Sequence, residues 1–124
     1  MKKIYLLLTF IVILFSGNET FAQENVPKEI LLTTLNSVNK LKLSNLKTEE
    51  LMNYNKGFVD KVYDILDSDK AEKDKKTALQ ALNNGKEKDL NDLLGKSESK
   101  RYLKLMQEEL KPLTKKNKLL KNIV

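Results

Sequence analysis

One segment occurs twice in this chain, and its spacing restricts what the chain can fold into. Leu46-Lys47-Thr48-Glu49-Glu50 opens a run that continues through Tyr54, Phe58 and Val62. Leu94-Gly95-Lys96-Ser97-Glu98 opens another that continues through Tyr102, Met106 and Leu110. In both, a leucine, a glutamate, a tyrosine, a large apolar residue and an aliphatic one follow at steps of four. Such steps keep side chains near one face of an α-helix, whereas a strand requires alternation. Each copy therefore reads as the entry to an amphipathic helix.

The remaining stretches read the same way. Pro27 suits a first helical turn, Glu29 favours the positive end of the dipole, and Leu31, Leu35, Val38 and Leu41 follow at steps of four and three. This predicts a first helix over 28–42, with a break at Ser44-Asn45. A second helix is expected over 48–67, capped by Thr48 with Glu49 and Glu50 in its first turn. Gly57 inside it implies a closely packed neighbour or a bend. Residues 70–93 are charge-rich with sparse apolar positions, and read as one long helix with a weak point at Asn83-Asn84-Gly85; a true break there is the alternative. The fourth helix is expected over 97–111, begun by a partial capping box of Gly95 and Glu98 and ended by Pro112. No stretch sustains strand alternation, so the predicted fold is all-α with four helices.

Before these helices stands a different kind of segment. Met1-Lys2-Lys3 is positive, Ile4 to Phe15 is apolar apart from Thr9, and Thr20 and Ala22 place small residues before a cut. That order predicts a signal peptide over 1–22. Its apolar run is shorter than the roughly 20 residues a membrane span needs. The expected product is a soluble, exported protein with a flexible leader at 23–27 and a helical domain at 28–111. A basic segment at 112–124 would follow. With no cysteine in the chain, neither a disulfide nor a cysteine-linked lipid is available to so small a domain. The net charge of +6 is unevenly placed. Residues 23–110 balance acids against bases, while Lys111, Lys115, Lys116, Lys118 and Lys121 follow with no acid. In an exported protein such an excess suits an anionic membrane surface or an acidic client better than nucleic acid; the alternative is a solvated, frayed helix end.

Little here supports catalysis. With no histidine and no cysteine, nucleophile–histidine arrangements and soft metal ligands are excluded. The acids lie among lysines on helix faces and turns, and no glycine-rich phosphate loop exists. The expectation is a protein that is not an enzyme, with no catalytic residue, cofactor or metal.

The doubled segment, in a lysine-rich helical chain with an export signal, resembles the LTxxQ family of periplasmic stress proteins, the Spy and CpxP type. Leu46 and Leu94 match that motif's leucine, Glu50 and Glu98 stand at its glutamine, and Tyr54 and Tyr102 match the aromatic that follows. Lys47 and Gly95 depart from its threonine. The resemblance implies an extended hairpin or cradle-like helical fold, often dimeric. It also implies an ATP-independent chaperone or an envelope-stress modulator that binds unfolded proteins or a sensor protein non-covalently. The client surface would combine Lys56, Lys61, Lys100, Arg101 and Lys104 with Met52, Phe58, Val59 and Met106; the alternative assigns Phe58 and Met106 to the core. Two other functions compatible with the chain are a structural, dimerising protein without chaperone activity and a membrane-surface binder acting through the basic C-terminal segment.

Overall fold

Two of the helices start at a polar side-chain cap, Ser44 and Asn117, and one glycine, Gly95, separates two others. The computed structural model describes residues 25–124; the expected signal peptide and the first two leader residues lie outside the described residues. Four helices of eight or more residues follow one another: α1 (Lys28–Leu35), α2 (Asn45–Leu66), α3 (Glu72–Leu94) and α4 (Lys96–Glu109). A short α5 (Lys111–Lys116) and a 3₁₀ helix (Lys118–Ile123) complete the chain. The described residues contain no strand, and the fold is all-α.

α1 ends well short of 42. Thr34 Oγ1 donates to the Ile30 carbonyl at 2.8 Å and Ser37 Oγ to the Thr33 carbonyl at 3.0 Å. Such side chains compete for backbone partners and weaken helix continuation. Val38 is nevertheless buried and Leu41 half-buried, so the apolar spacing served the core without a helical backbone beneath it. The leader is also ordered from Asn25 on: Val26 is buried, and its carbonyl accepts from the Tyr63 hydroxyl.

α2 begins earlier than predicted. Ser44 caps it, its hydroxyl accepting from the Lys47 N–H at 3.2 Å, and Thr48 lies inside the first turns. A cap satisfies an otherwise unpaired helical N–H, and serine does this as well as threonine. Gly57 sits on the exposed side, and a Cβ added there would meet nothing within 4 Å, so close packing does not explain it.

α3 runs unbroken through Asn83-Asn84-Gly85. It is the hub of the fold, packing against α2, α4 and the 3₁₀ helix. Its buried stripe is Leu79, Lys86, Leu90 and Leu94. α3 passes into α4 through Gly95 alone, whose φ of 87° excludes ordinary L-residues.

The C-terminal segment is part of the core. Pro112 lies in the first turn of α5, where its missing N–H costs little, and Asn117 caps the 3₁₀ helix by accepting from the Leu119 N–H at 3.0 Å. Leu113, Leu120 and Ile123 are buried. Burial of each such side chain contributes about 1.5–3 kcal/mol. The alternative of a frayed, solvated end is thereby corrected, although Lys111, Lys115, Lys116, Lys118 and Lys121 all remain exposed.

Candidate functional site

The side chains predicted to meet a partner divide into two groups. Lys56 and Lys61 project from the exposed face of α2, and Lys100, Arg101 and Lys104 from the exposed face of α4. Met52 is 45% exposed on α2. Phe58, Val59 and Met106 are core residues, which corrects their assignment to a client surface. The reason is angular: Phe58 and Val59 lie on the helix face that also carries Leu51, Asn55 and Val62, and that face is turned inward. Met106 joins Tyr102 and Ser99 on the inner face of α4. Ile30, Leu46, Met52 and Val124 are the large apolar residues left exposed among the described residues.

The doubled segment does not occupy equivalent positions. Leu46 is the second residue of α2 and is 66% exposed, whereas Leu94 is the last residue of α3 and is buried. Glu50 is exposed and Glu98 half-buried. The two copies meet directly: Lys47 Nζ donates to the Leu94 carbonyl at 3.1 Å and lies 3.4 Å from Glu98 Oε2. Lys47 thus satisfies a carbonyl at the end of α3, where a cation also suits the helix dipole.

Tyr54 and Tyr102 differ in kind. Tyr54 is half-buried, stacks on Phe58 with ring centroids 6.3 Å apart and donates to Asp89 at 3.1 Å. Burial, reinforced by the Asp89 carboxylate, holds its phenol above the ordinary range. Tyr102 is buried and donates to the Leu35 carbonyl at 2.6 Å. Asn55 Nδ2 lies 3.1 Å from that same carbonyl, 2.9 Å from Asn36 Oδ1 and 3.2 Å from the Tyr102 oxygen. This neutral knot joins α1, α2 and α4, and it absorbs a carbonyl freed where α1 stops. Burial keeps the Tyr102 phenol protonated far above its usual range, with Asn55 opposing the shift.

Sequence reasoning missed Lys86. It is 4% exposed, yet it occupies a core position of α3. Its Nζ donates to the Ile123 carbonyl at 2.5 Å and stands 4.9 Å from the centre of the Phe58 ring. The ammonium thus caps the negative end of the 3₁₀ helix and rests on an aromatic face. Burial with no carboxylate partner lowers its pKa from 10.5 to about 8. Beside it a cleft of about 240 Å³ is lined by Asn83, Asn84, Leu103, Met106 and Gln107. The signal that would have found it is the spacing Leu79, Leu82, Lys86, Leu90, Leu93, in which a lysine takes the turn of a leucine.

Asn55 was also missed, because a single asparagine on an apolar face has no pattern of its own. Ser99 Oγ is buried without a hydrogen-bond partner among the described residues. No group of three or more acids, histidines or cysteines placed to hold a metal occurs among the described residues, and none of their helices is long and apolar enough to cross a membrane. No family model, curated protein or solved structure matches this chain.

Proposed function

We propose that the chain is an exported protein-binding protein of the cell envelope, acting non-covalently as an ATP-independent chaperone or as a stress modulator of the LTxxQ type. The observation that carries this reading is the exterior of α2 and α4. It offers Lys56, Lys61, Lys100, Arg101 and Lys104 to solvent, with Leu46 and Met52 exposed on the same α2. Long basic side chains attract acidic or unfolded partners at a distance, and isolated apolar side chains hold them weakly. Because Phe58, Val59 and Met106 are in the core, the apolar share of that surface is small. Electrostatics then dominates, and salt should weaken binding.

The test is suppression of aggregation of a thermally denatured enzyme by the full mature chain at stoichiometric ratio. Suppression that falls as salt is raised, and falls further in a Leu46→Ser/Met52→Ser double variant, is expected. Absence of suppression alongside a stable dimer in solution would instead point to a dimerising structural protein. The membrane-surface alternative draws no support from a free basic tail, since 112–124 contributes Leu113, Leu120 and Ile123 to the core.

A further inference from the structure

The C-terminal lysines acquire partners in space that the sequence does not suggest. The 3₁₀ helix lies along the first turns of α3, and between them runs an open groove of about 530 Å³. Lys73 and Lys76 line one side, and Lys118 and Lys121 the other. All four are exposed, and none takes part in the salt bridges formed among the described residues. Glu72 is the single acid in the lining. Gln80 Nε2 joins the walls by donating to Asn122 Oδ1 at 3.2 Å, and Asn122 Nδ2 donates to the Leu119 carbonyl of its own 3₁₀ helix at 2.8 Å.

The spacing within each wall is regular. Residues i and i+3 share a face of an α-helix, about 5–6 Å apart at Cβ. In a 3₁₀ helix, residues i and i+3 eclipse one another. The groove is therefore lined by two short rows of lysines, one on each wall. An extended peptide sends successive side chains to opposite sides, with same-side neighbours about 6.6 Å apart. Flexible lysine stems cover the small mismatch.

We propose that this groove binds an extended acidic segment of a protein partner, alternate carboxylates pairing with Lys73 and Lys76 on one wall and Lys118 and Lys121 on the other. The partner's class rests on the protein-binding reading above, but the site is separate from the exposed faces of α2 and α4 near Met52 and Lys100. A concave groove suits a chain better than a flat lipid surface. None of the exposed large apolar residues, Ile30, Leu46, Met52 or Val124, lines it to enter a bilayer.

The test measures anisotropy of a fluorescent polyglutamate peptide titrated with the full mature chain at low salt. Lys118→Ala/Lys121→Ala and Lys73→Ala/Lys76→Ala should each weaken binding about tenfold. Lys88→Ala/Lys96→Ala removes the same charge from outside both the groove and the proposed client surface, and should change it less than about twofold. All six lysines are exposed, and unchanged thermal melts will verify folding. Equal weakening by the Lys88/Lys96 pair would reduce the effect to net charge and overturn the groove. Peptide binding indifferent to both groove pairs would overturn it as well. So would loss of binding to phosphatidylglycerol vesicles in the groove variants with peptide binding intact, which assigns the lysines to a membrane. Aggregation suppression that survives in the groove variants leaves the protein-binding reading standing whichever way the peptide result falls.

Discussion

The two copies of the repeated segment share a spacing and almost nothing else. In the first, Tyr54 lies at the rim of the bundle, tied to an exposed aspartate and stacked on Phe58, which carries the Lys86 ammonium on its ring. In the second, Tyr102 lies at the centre, bonded to Asn55 and to the carbonyl that ends α1. Leu51 of the first copy corresponds to Ser99 of the second, and both are buried. A period of four is thus enough to turn a side chain inward, but not to decide what it meets. One neighbourhood is charged and titratable, the other neutral.

The largest expected contrast is between the two tyrosines. Tyr102→Ala should cost about 4 kcal/mol, since it opens a cavity and strips partners from Asn55 and the Leu35 carbonyl. Tyr54→Ala should cost about 1–2 kcal/mol, because its hydroxyl and Asp89 are within reach of water. Urea unfolding of both variants checks this, and equal costs would erase the distinction between rim and centre.

A second contrast is drawn by pH. The unfolded chain holds the Lys86 proton up to 10.5, the folded chain only to about 8. Between those values folding releases a proton, so this group makes stability rise with pH, by up to about 1.4 kcal/mol per unit. Its contribution is complete above 10.5 and is lost as pH falls through 8. The tyrosines act oppositely above about pH 10, since their phenols are held protonated in the fold. Lys86→Met should therefore abolish the rise between pH 8 and 10. Relative to wild type, the variant should lose about 2 kcal/mol of its advantage across that interval. Unfolding free energies measured across that range decide it; a wild-type profile as flat as the variant's would mean that Lys86 titrates normally.

Smaller effects sharpen the same comparison. Ser99→Ala removes an unpaired buried hydroxyl and should stabilise by about 1 kcal/mol, whereas Leu51→Ala at the corresponding place should destabilise by about 3 kcal/mol. Gly57→Ala meets open space on an exposed helix face and should raise stability by about 0.5–1 kcal/mol, read as a higher thermal midpoint.

Much of this architecture was legible because it is local. The continuous α3 follows from helix propensity that outweighs Asn83-Asn84-Gly85, and the end of α4 follows from Pro112. The early stop of α1 was hidden, because Leu31, Leu35, Val38 and Leu41 keep helical spacing while Thr33, Thr34, Asn36 and Ser37 undo the backbone that would use it. Of the proposed surface, the basic members were identifiable as solvated side chains, but Phe58, Val59 and Met106 were not. An apolar residue on a helix reveals which stripe it belongs to, not whether another element covers that stripe.

The doubled segment, the helical periods and the absence of cysteine determined an all-α chain that folds without disulfides. These are properties of neighbours within a few residues, where hydrogen-bond geometry and side-chain direction repeat. Tertiary structure decided the rest. It made Lys47 a bridge between the two copies, placed Lys86 beneath the 3₁₀ helix and drew Lys73 and Lys76 opposite Lys118 and Lys121. Each of those pairings spans tens of residues of sequence. The energy of bringing such distant groups together resides in the shared core, not in the groups themselves.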